Sequence, residues 1–133
     1  MQGVEITVAV LDDGMNRKAL PIIEIVPPDG FFDYDAKYTY AKGKTSYVCP
    51  ARIPDDVAAE ASRVAIAAHE VLGCEGVTRS DFMIDASGKP WLLETNTVPG
   101  MTETSLVPKA AKQIGMEFPE LVESILETAR LKL

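Results

Sequence analysis

Residues 79–105 read RSDFMIDASGKPWLLETNTVPGMTETS, and they are the most informative part of the chain. It predicts a strand that ends at Asp81, a tight turn over 85–90 and a returning strand that carries Glu94 and Asn96. Side chains alternate between the two faces of a strand, so Glu94 and Asn96 point the same way. If the turn centres on 87–88, Asp81 lies opposite Glu94 and Arg79 lies opposite Asn96. The hairpin then presents two carboxylates, an amide and a guanidinium on one face.

The facing carboxylates indicate a bound cation. Like charges directly opposite each other destabilise a sheet, and hard oxygen ligands of this kind suit Mg²⁺. Spacing alone leaves an alternative open, a solvated face on which Arg79 forms an ion pair with Asp81 or Glu94.

Composition indicates one globular domain over residues 1–133. An apolar fraction of 47% is typical of such domains. The net charge of −7 argues against a nucleic-acid partner held by its phosphates. No run approaches the roughly 18 apolar residues of a membrane span, and we expect no signal peptide at the start of the chain. Cys49 and Cys74 show no metal-ligand spacing and are expected to be reduced thiols in a cytosolic protein.

The rest of the pattern predicts an α+β domain with a largely antiparallel sheet covered by helices. The first strand is expected to be half-buried, with Glu5 on its polar side. His69 is expected at the flank of a helix, on the surface or with satisfied hydrogen bonds. The predicted elements are strands over 4–11 and 19–26, and helices over 54–72, 105–114 and 119–132, the last with Phe118, Val122, Ile125, Leu126 and Ala129 toward the core.

An aromatic segment, FFDYDAKYTYAKGKTSY at 31–47, has no clean helical or strand period. Long irregular loops in compact domains are often functional lids. Lys37 is a candidate to meet a phosphate when such a loop closes, the alternative being a solvated lysine.

Residues 100–105 lead into a predicted helix N-terminus, where free N–H groups favour an anion such as a carboxylate. Ser105 and the Gly100 amide are the natural donors, unless Ser105 is an ordinary N-cap. Glu5 is a candidate to bind a ribose diol, unless it simply faces solvent.

The string LLETNTVPGMTETSLVP at 92–108 closely resembles the signature of D-alanine–D-alanine ligases, members of the ATP-grasp superfamily. Four further blocks are similar to the family in the same order, and the similarity covers essentially the whole chain. These blocks are GVEITVAVL at 3–11, FFDYDAKY at 31–38, VLGCEG at 71–76 and RSDF at 79–82. The resemblance implies an ATP-grasp C-terminal domain.

The resemblance also implies residue roles. Asp81, Glu94 and Asn96 would bind two Mg²⁺ ions, or Mn²⁺, with Glu94 bridging them. Arg79 and the Gly100 amide would form the oxyanion hole for a tetrahedral intermediate.

Substrate contacts follow from the same resemblance. Ser105 and Leu106 would hold the carboxylate of the second D-alanine, and Tyr38 matches a tyrosine associated with dipeptide rather than depsipeptide products. The expected ATP contacts are Lys37 at a phosphate, Glu5 at the ribose, and Phe31, Met83 and Leu93 at the adenine. In a regular hairpin Met83 and Leu93 would lie on opposite faces, which conflicts with a shared adenine contact.

The implied reaction joins two D-alanines through an acyl-phosphate for peptidoglycan synthesis in the bacterial cytoplasm. Ligases of this family are more than twice as long as this chain, so the N-terminal and central domains are expected partners. A homodimer is expected for the full-length enzyme, and the isolated chain is expected to be inactive. Two alternatives stay open: a ligase that uses D-lactate or D-serine, and a non-catalytic Mg-nucleotide binding module.

Overall fold

Six strands form one sheet and three helices cover it in the part of the chain that the computed structural model describes, residues 3–28 and 45–131. The strands are β1 (Val4–Asp12), β2 (Arg17–Ala19), β3 (Ile23–Val26), β4 (Ser46–Val48), β5 (Gly76–Ile84) and β6 (Pro90–Asn96). The helices are α1 (Asp55–Val71), α2 (Leu106–Lys112) and α3 (Phe118–Leu126). The expected α+β class is confirmed.

The sheet is antiparallel, with strand order β4-β3-β1-β5-β6 and with β2 paired to the far end of β1. β1 is therefore central and β6 lies at an edge. Among the described helices, none is long and apolar enough to cross a membrane.

β1 is buried on both faces, so the prediction of a half-buried strand is wrong. Helices cover both faces of this central strand. Ile6, Val8 and Val10 pack in one cluster with α1, whereas Ala9 and Leu11 pack in a second cluster with α2 and α3. We call these sides the α1 face and the α2–α3 face.

The first helix confirms its predicted limits. Pro54 precedes it, Asp55 and Asp56 complement the helix dipole in its first turn, and Gly73 follows it with a φ of +67°. His69 is fully buried rather than on the surface. Both of its ring nitrogens have hydrogen-bond partners, as the satisfied alternative predicted.

Two strand predictions need correction. Within the run over 19–26, Ala19 ends β2 and only Ile23–Val26 forms the next strand, β3; between them lies Pro21, which has no N–H for a sheet. Ser46 and Tyr47, at the end of the predicted irregular loop over 31–47, form with Val48 the edge strand β4 against β3. The loop prediction for 31–44 falls on residues outside the described part.

The last helix ends at Leu126, six residues before the predicted limit. Its core contacts come from Leu121 and Ile125, which join the α2–α3 cluster. Val122, Leu126 and Ala129 were predicted to face the core, but they are exposed.

Candidate functional site

The hairpin of β5 and β6 has the predicted register at its polar end. Arg79 is the Cα partner of Asn96, and Asp81 is the partner of Glu94. The strand does not stop at Asp81, however, but continues to Ile84.

The register shifts by one residue between Asp81 and Phe82. Phe82 pairs with Leu92 and Met83 with Trp91, which leaves Leu93 as the extra residue on β6. A bulge breaks the strict alternation of faces along a strand. In a regular register Met83 and Leu93 would point to opposite faces of the hairpin, but β6 does not keep that register.

Cross-strand pairing brings β1 into the same site. Thr7 is the partner of Asp81, and Glu5 is the partner of Met83. Alternation along the three strands places seven side chains of β1, β5 and β6 together on the α2–α3 face. We call this set the acidic patch; it consists of the polar residues Glu5, Thr7, Arg79, Asp81, Glu94 and Asn96 and the apolar Met83.

The acidic patch is buried on one side and open on the other. Asp81 is only 4% exposed and Glu5 only 5%, whereas Glu94 on the edge strand is exposed. The expectation that Glu5 would by default face solvent is therefore wrong, because β1 lies in the middle of the sheet.

Asp81 is the most constrained side chain of the patch. Its Oδ1 accepts hydrogen bonds from Arg79 Nε at 3.1 Å and from Thr7 Oγ1 at 2.6 Å, and its Oδ2 accepts one from Arg79 Nη2 at 3.2 Å. The Arg79–Asp81 ion pair that spacing left open is thus present.

The donor set of the patch fits a hard divalent cation. Asp81 and Glu94 supply facing carboxylates, and the Asn96 amide nitrogen donates to Glu94 Oε1 at 3.4 Å, which leaves the amide oxygen as a further ligand. Within the described ranges no three His, Cys, Asp or Glu side chains cluster as metal ligands. Two carboxylates and an amide are typical of a Mg²⁺ site that takes its other ligands from water and phosphate.

The loop after β6 brings Gly100 against Ser105. A Cβ on Gly100 would lie 3.2 Å from Ser105 Oγ. Ser105 occupies the N-cap position of α2, as the alternative predicted, but its side chain makes no capping hydrogen bond to the helix. Its hydroxyl instead accepts a hydrogen bond from the Thr102 N–H at 3.0 Å and contacts Thr102 Oγ1 at 2.7 Å. Leu106 is the first residue of α2 and is partly buried.

Some predicted site residues cannot be placed. Phe31, Lys37 and Tyr38 lie outside the described residues. Conversely, Thr7 was missed, although a threonine in an otherwise apolar strand was a signal for a buried hydrogen bond.

A second polar cluster lies on the α1 face. His69 Nε2 is 3.0 Å from Asp12 Oδ2, and its Nδ1 is 2.8 Å from Thr78 Oγ1. Burial raises the pKa of Asp12, but hydrogen bonds from the Gly14 N–H and His69, with the charge of Arg17, outweigh it and hold that pKa below its ordinary value. This cluster faces away from the acidic patch.

Comparison with known proteins agrees with this architecture. The family described as "D-ala D-ala ligase C-terminus" matches residues 1–127. The D-alanine–D-alanine ligase of Magnetococcus marinus is 52% identical over 133 residues, covering 99% of this chain and 41% of that protein. The corresponding ligase of Bordetella petrii is 54% identical over 131 residues, covering 98% of this chain and 40% of that protein.

Solved structures show the same likeness. The Bacillus anthracis D-alanine–D-alanine ligase complexed with ATP has a TM-score of 0.77 and 36% identity, over 96% of this chain and 40% of that one. The VanG D-Ala:D-Ser ligase of Enterococcus faecalis has a TM-score of 0.74 and 32% identity, over 95% of this chain and 36% of that one.

The antiparallel sheet covered by helices, with its likeness to these solved ligases, identifies the chain as an ATP-grasp domain. The chain spans about 40% of the length of the curated relatives it matches. It belongs to the D-ala D-ala ligase C-terminus family.

Proposed function

We propose that residues 1–133 act as one domain, the Mg-ATP and second-D-alanine binding portion of an ATP-dependent D-alanine–D-alanine ligase. One observation carries the proposal: Asp81 and Glu94 face each other in register, with Asn96 and Arg79 paired beside them. The family match and the similarity to the Magnetococcus marinus D-alanine–D-alanine ligase support this ligase activity.

ATP is proposed to lie against the acidic patch. Glu5 and Met83 are register partners on the same face as Asp81, which suits contacts to a ribose and a base beside the phosphates. Leu93, at the bulge and 55% exposed, offers a further apolar contact to the adenine. Phe31 and Lys37 are proposed on the sequence alone to contact adenine and phosphate.

Asp81, Glu94 and Asn96 are proposed to hold two Mg²⁺ ions, for which Mn²⁺ can substitute. When bound, such ions neutralise charge on the phosphates during phosphoryl transfer. The chain itself contributes the oxygen ligands, and the hydrogen bonds to Asp81 fix the orientation of its carboxylate.

The proposed reaction has two steps. The carboxylate of one D-alanine attacks the γ-phosphorus of ATP and ADP leaves; the amine of the second D-alanine then attacks the acyl carbon and phosphate leaves. Arg79 donates the Nε–H and one N–H of Nη2 to Asp81. A guanidinium has five N–H groups, so the rest remain available to an oxygen that gains negative charge. The Gly100 N–H is the proposed second donor.

The acceptor D-alanine is proposed to bind beside the start of α2. Ser105 and Leu106 would hold its carboxylate, and Tyr38 would favour the dipeptide product. The partners that complete the enzyme are the N-terminal and central domains, and we propose a homodimer in the bacterial cytoplasm that supplies peptidoglycan precursors.

D-alanine-dependent phosphate release from ATP tests this function. The full-length ligase that carries this chain is expected to be active, whereas the isolated chain is expected to be inactive. Glu94→Gln is expected to lower the rate by several orders of magnitude, and Glu120→Gln, an exposed change on α3, is the matched control. If Glu94→Gln keeps full activity in the full-length protein, residues 1–133 are better explained as a non-catalytic nucleotide-binding module of that protein.

A D-serine acceptor is the second candidate, since the Enterococcus faecalis D-Ala:D-Ser ligase shares the fold at 32% identity. Product analysis with equal D-alanine, D-serine and D-lactate distinguishes the acceptors. D-alanyl-D-alanine as the main product supports D-alanine as the acceptor. A mixed dipeptide with D-serine, or a depsipeptide with D-lactate, as the main product would overturn it.

A further inference from the structure

Thr7 is a buried hydroxyl in the centre of the sheet. It lies on β1 between two core residues, Ile6 and Val8, and is only 2% exposed. Valine has nearly the same shape and is well suited to a buried strand. A hydroxyl at this position is costly to bury unless it has a hydrogen-bond partner, so its polar contact calls for an explanation.

That contact is with the carboxyl group of Asp81. Thr7 Oγ1 lies 2.6 Å from Asp81 Oδ1 and 3.3 Å from the Ser80 carbonyl oxygen. A threonine hydroxyl has one proton to donate. The shorter distance and the charge-assisted acceptor indicate that Thr7 donates it to Asp81.

Arg79 also binds Asp81, but it engages both carboxylate oxygens, Oδ1 through Nε and Oδ2 through Nη2. Arg79 is positively charged, so it competes with a divalent ion for the electrons of both Asp81 oxygens. The Thr7 hydroxyl is neutral and engages Oδ1 alone. It therefore stays compatible with a cation on Oδ2.

We propose that Thr7 is a positioning residue, which holds Asp81 Oδ1 from inside the sheet and presents Oδ2 to the catalytic cation. The inference rests on the proposed function, because it concerns the same cation site. Partners behind metal ligands fix the orientation of those ligands, and their loss typically weakens metal affinity by roughly 10- to 100-fold.

The test is the Mn²⁺ dissociation constant of the full-length ligase, measured by electron paramagnetic resonance with a non-hydrolysable ATP analogue. Thr7→Val keeps the shape and removes the donor, and it is expected to weaken Mn²⁺ binding by roughly 10- to 100-fold. Thr7→Ser restores the donor and is expected to recover most of the affinity. The Mg²⁺ concentration for half-maximal activity is expected to rise in Thr7→Val and to return most of the way in Thr7→Ser.

Thr95→Val is the matched control. Thr95 Oγ1 bonds Ser80 Oγ at 2.9 Å on the α1 face, so this variant also removes one hydroxyl bond between strands, but away from the cation. It is expected to bind Mn²⁺ like the wild type. If it weakens binding as much as Thr7→Val, the effect is a general loss of strand bonding and the role of Thr7 is overturned.

The remaining outcomes separate this inference from the proposed function. Wild-type protein that binds no Mn²⁺ with nucleotide would contradict the proposed function itself. Tight binding by both wild type and Thr7→Val would overturn only the role of Thr7. If Thr7→Val does not fold, Thr7→Cys replaces it, since a thiol is a weak donor of similar volume; wild-type affinity in that variant would overturn the inference.

Discussion

Asp81 lies directly across the edge hairpin from Glu94, as its Cα partner on the neighbouring strand. Facing carboxylates repel each other, and side-chain pairs directly across two strands change the stability of a sheet by roughly 0.2–1 kcal/mol. The site therefore works against the stability of the empty domain. An arrangement of this kind is explained by a ligand that needs both charges.

Glu94→Gln is accordingly expected to have opposite effects on stability with and without ligand. Without metal it relieves the repulsion and raises the free energy of unfolding, by up to about 1 kcal/mol. With Mg²⁺ and a nucleotide, the wild type gains stability through binding and the variant does not. Urea unfolding under both conditions measures this. A variant that is less stable without metal would show that Glu94 has a structural role.

Arg79→Met is expected to separate binding from chemistry. Loss of a donor to a developing negative charge typically costs about 10²–10³-fold in kcat. Nucleotide affinity changes much less, because the ligands of the cation remain. Arg63→Met, which disrupts an exposed pair with Glu60 on α1, is the control. Steady-state kinetics with calorimetric nucleotide binding measures both, and an unchanged kcat would remove Arg79 from the oxyanion hole.

Gly100→Ala is expected to disturb the acceptor site. The new Cβ would stand 3.2 Å from Ser105 Oγ, closer than an ordinary contact, so Ser105 must move. We expect a roughly 10-fold higher KM for the acceptor D-alanine, since misplaced binding groups are costly, with unfolding free energy changed by less than about 1 kcal/mol. Ser105→Ala is expected to behave likewise, and Lys112→Ala at the end of α2 is the control. A normal KM in both site variants would place the acceptor elsewhere.

Asp12→Asn is expected to reduce the sensitivity of the fold to acid. Because the folded-state pKa of Asp12 is lowered, its contribution to stability is fully present above the unfolded pKa of about 3.9 and is lost as pH falls through the folded value. The variant lacks this contribution, so its unfolding free energy declines less steeply below about pH 4. Chemical unfolding from pH 3 to 6 measures the slopes, with Glu123→Gln on α3 as the control. Equal slopes for Asp12→Asn and wild type would contradict this assignment.

The polar half of the hairpin was predictable because its signal is local. Glu94 and Asn96 lie two residues apart on one strand, and the turn at 85–90 fixes their partners on the other. The bulge at Leu93 was not predictable, because an extra residue in an apolar run does not change its composition. Its effect is to release Leu93 from the face that a regular strand would impose.

Long-range pairing accounts for most of what was missed. The contact between Thr7 and Asp81 joins residues 74 apart in the chain, and it depends on β1 pairing with β5. The same central position of β1 explains why Glu5 is buried rather than solvent-facing. Similarly, the apolar period of the last helix does not identify which side the sheet covers, and Leu121 rather than Val122 fills the core.

Whether the edge hairpin holds the catalytic ions is decided by the location of Mn²⁺ in a crystal of the full-length ligase with a nucleotide. Anomalous diffraction at the manganese edge identifies the ion without assumptions about the protein. We expect peaks at ligand distances of about 2.0–2.6 Å from oxygen atoms of Asp81, Glu94 and Asn96. Manganese bound to the nucleotide but held by other side chains, with Asp81 still paired only to Arg79 and Thr7, would contradict it.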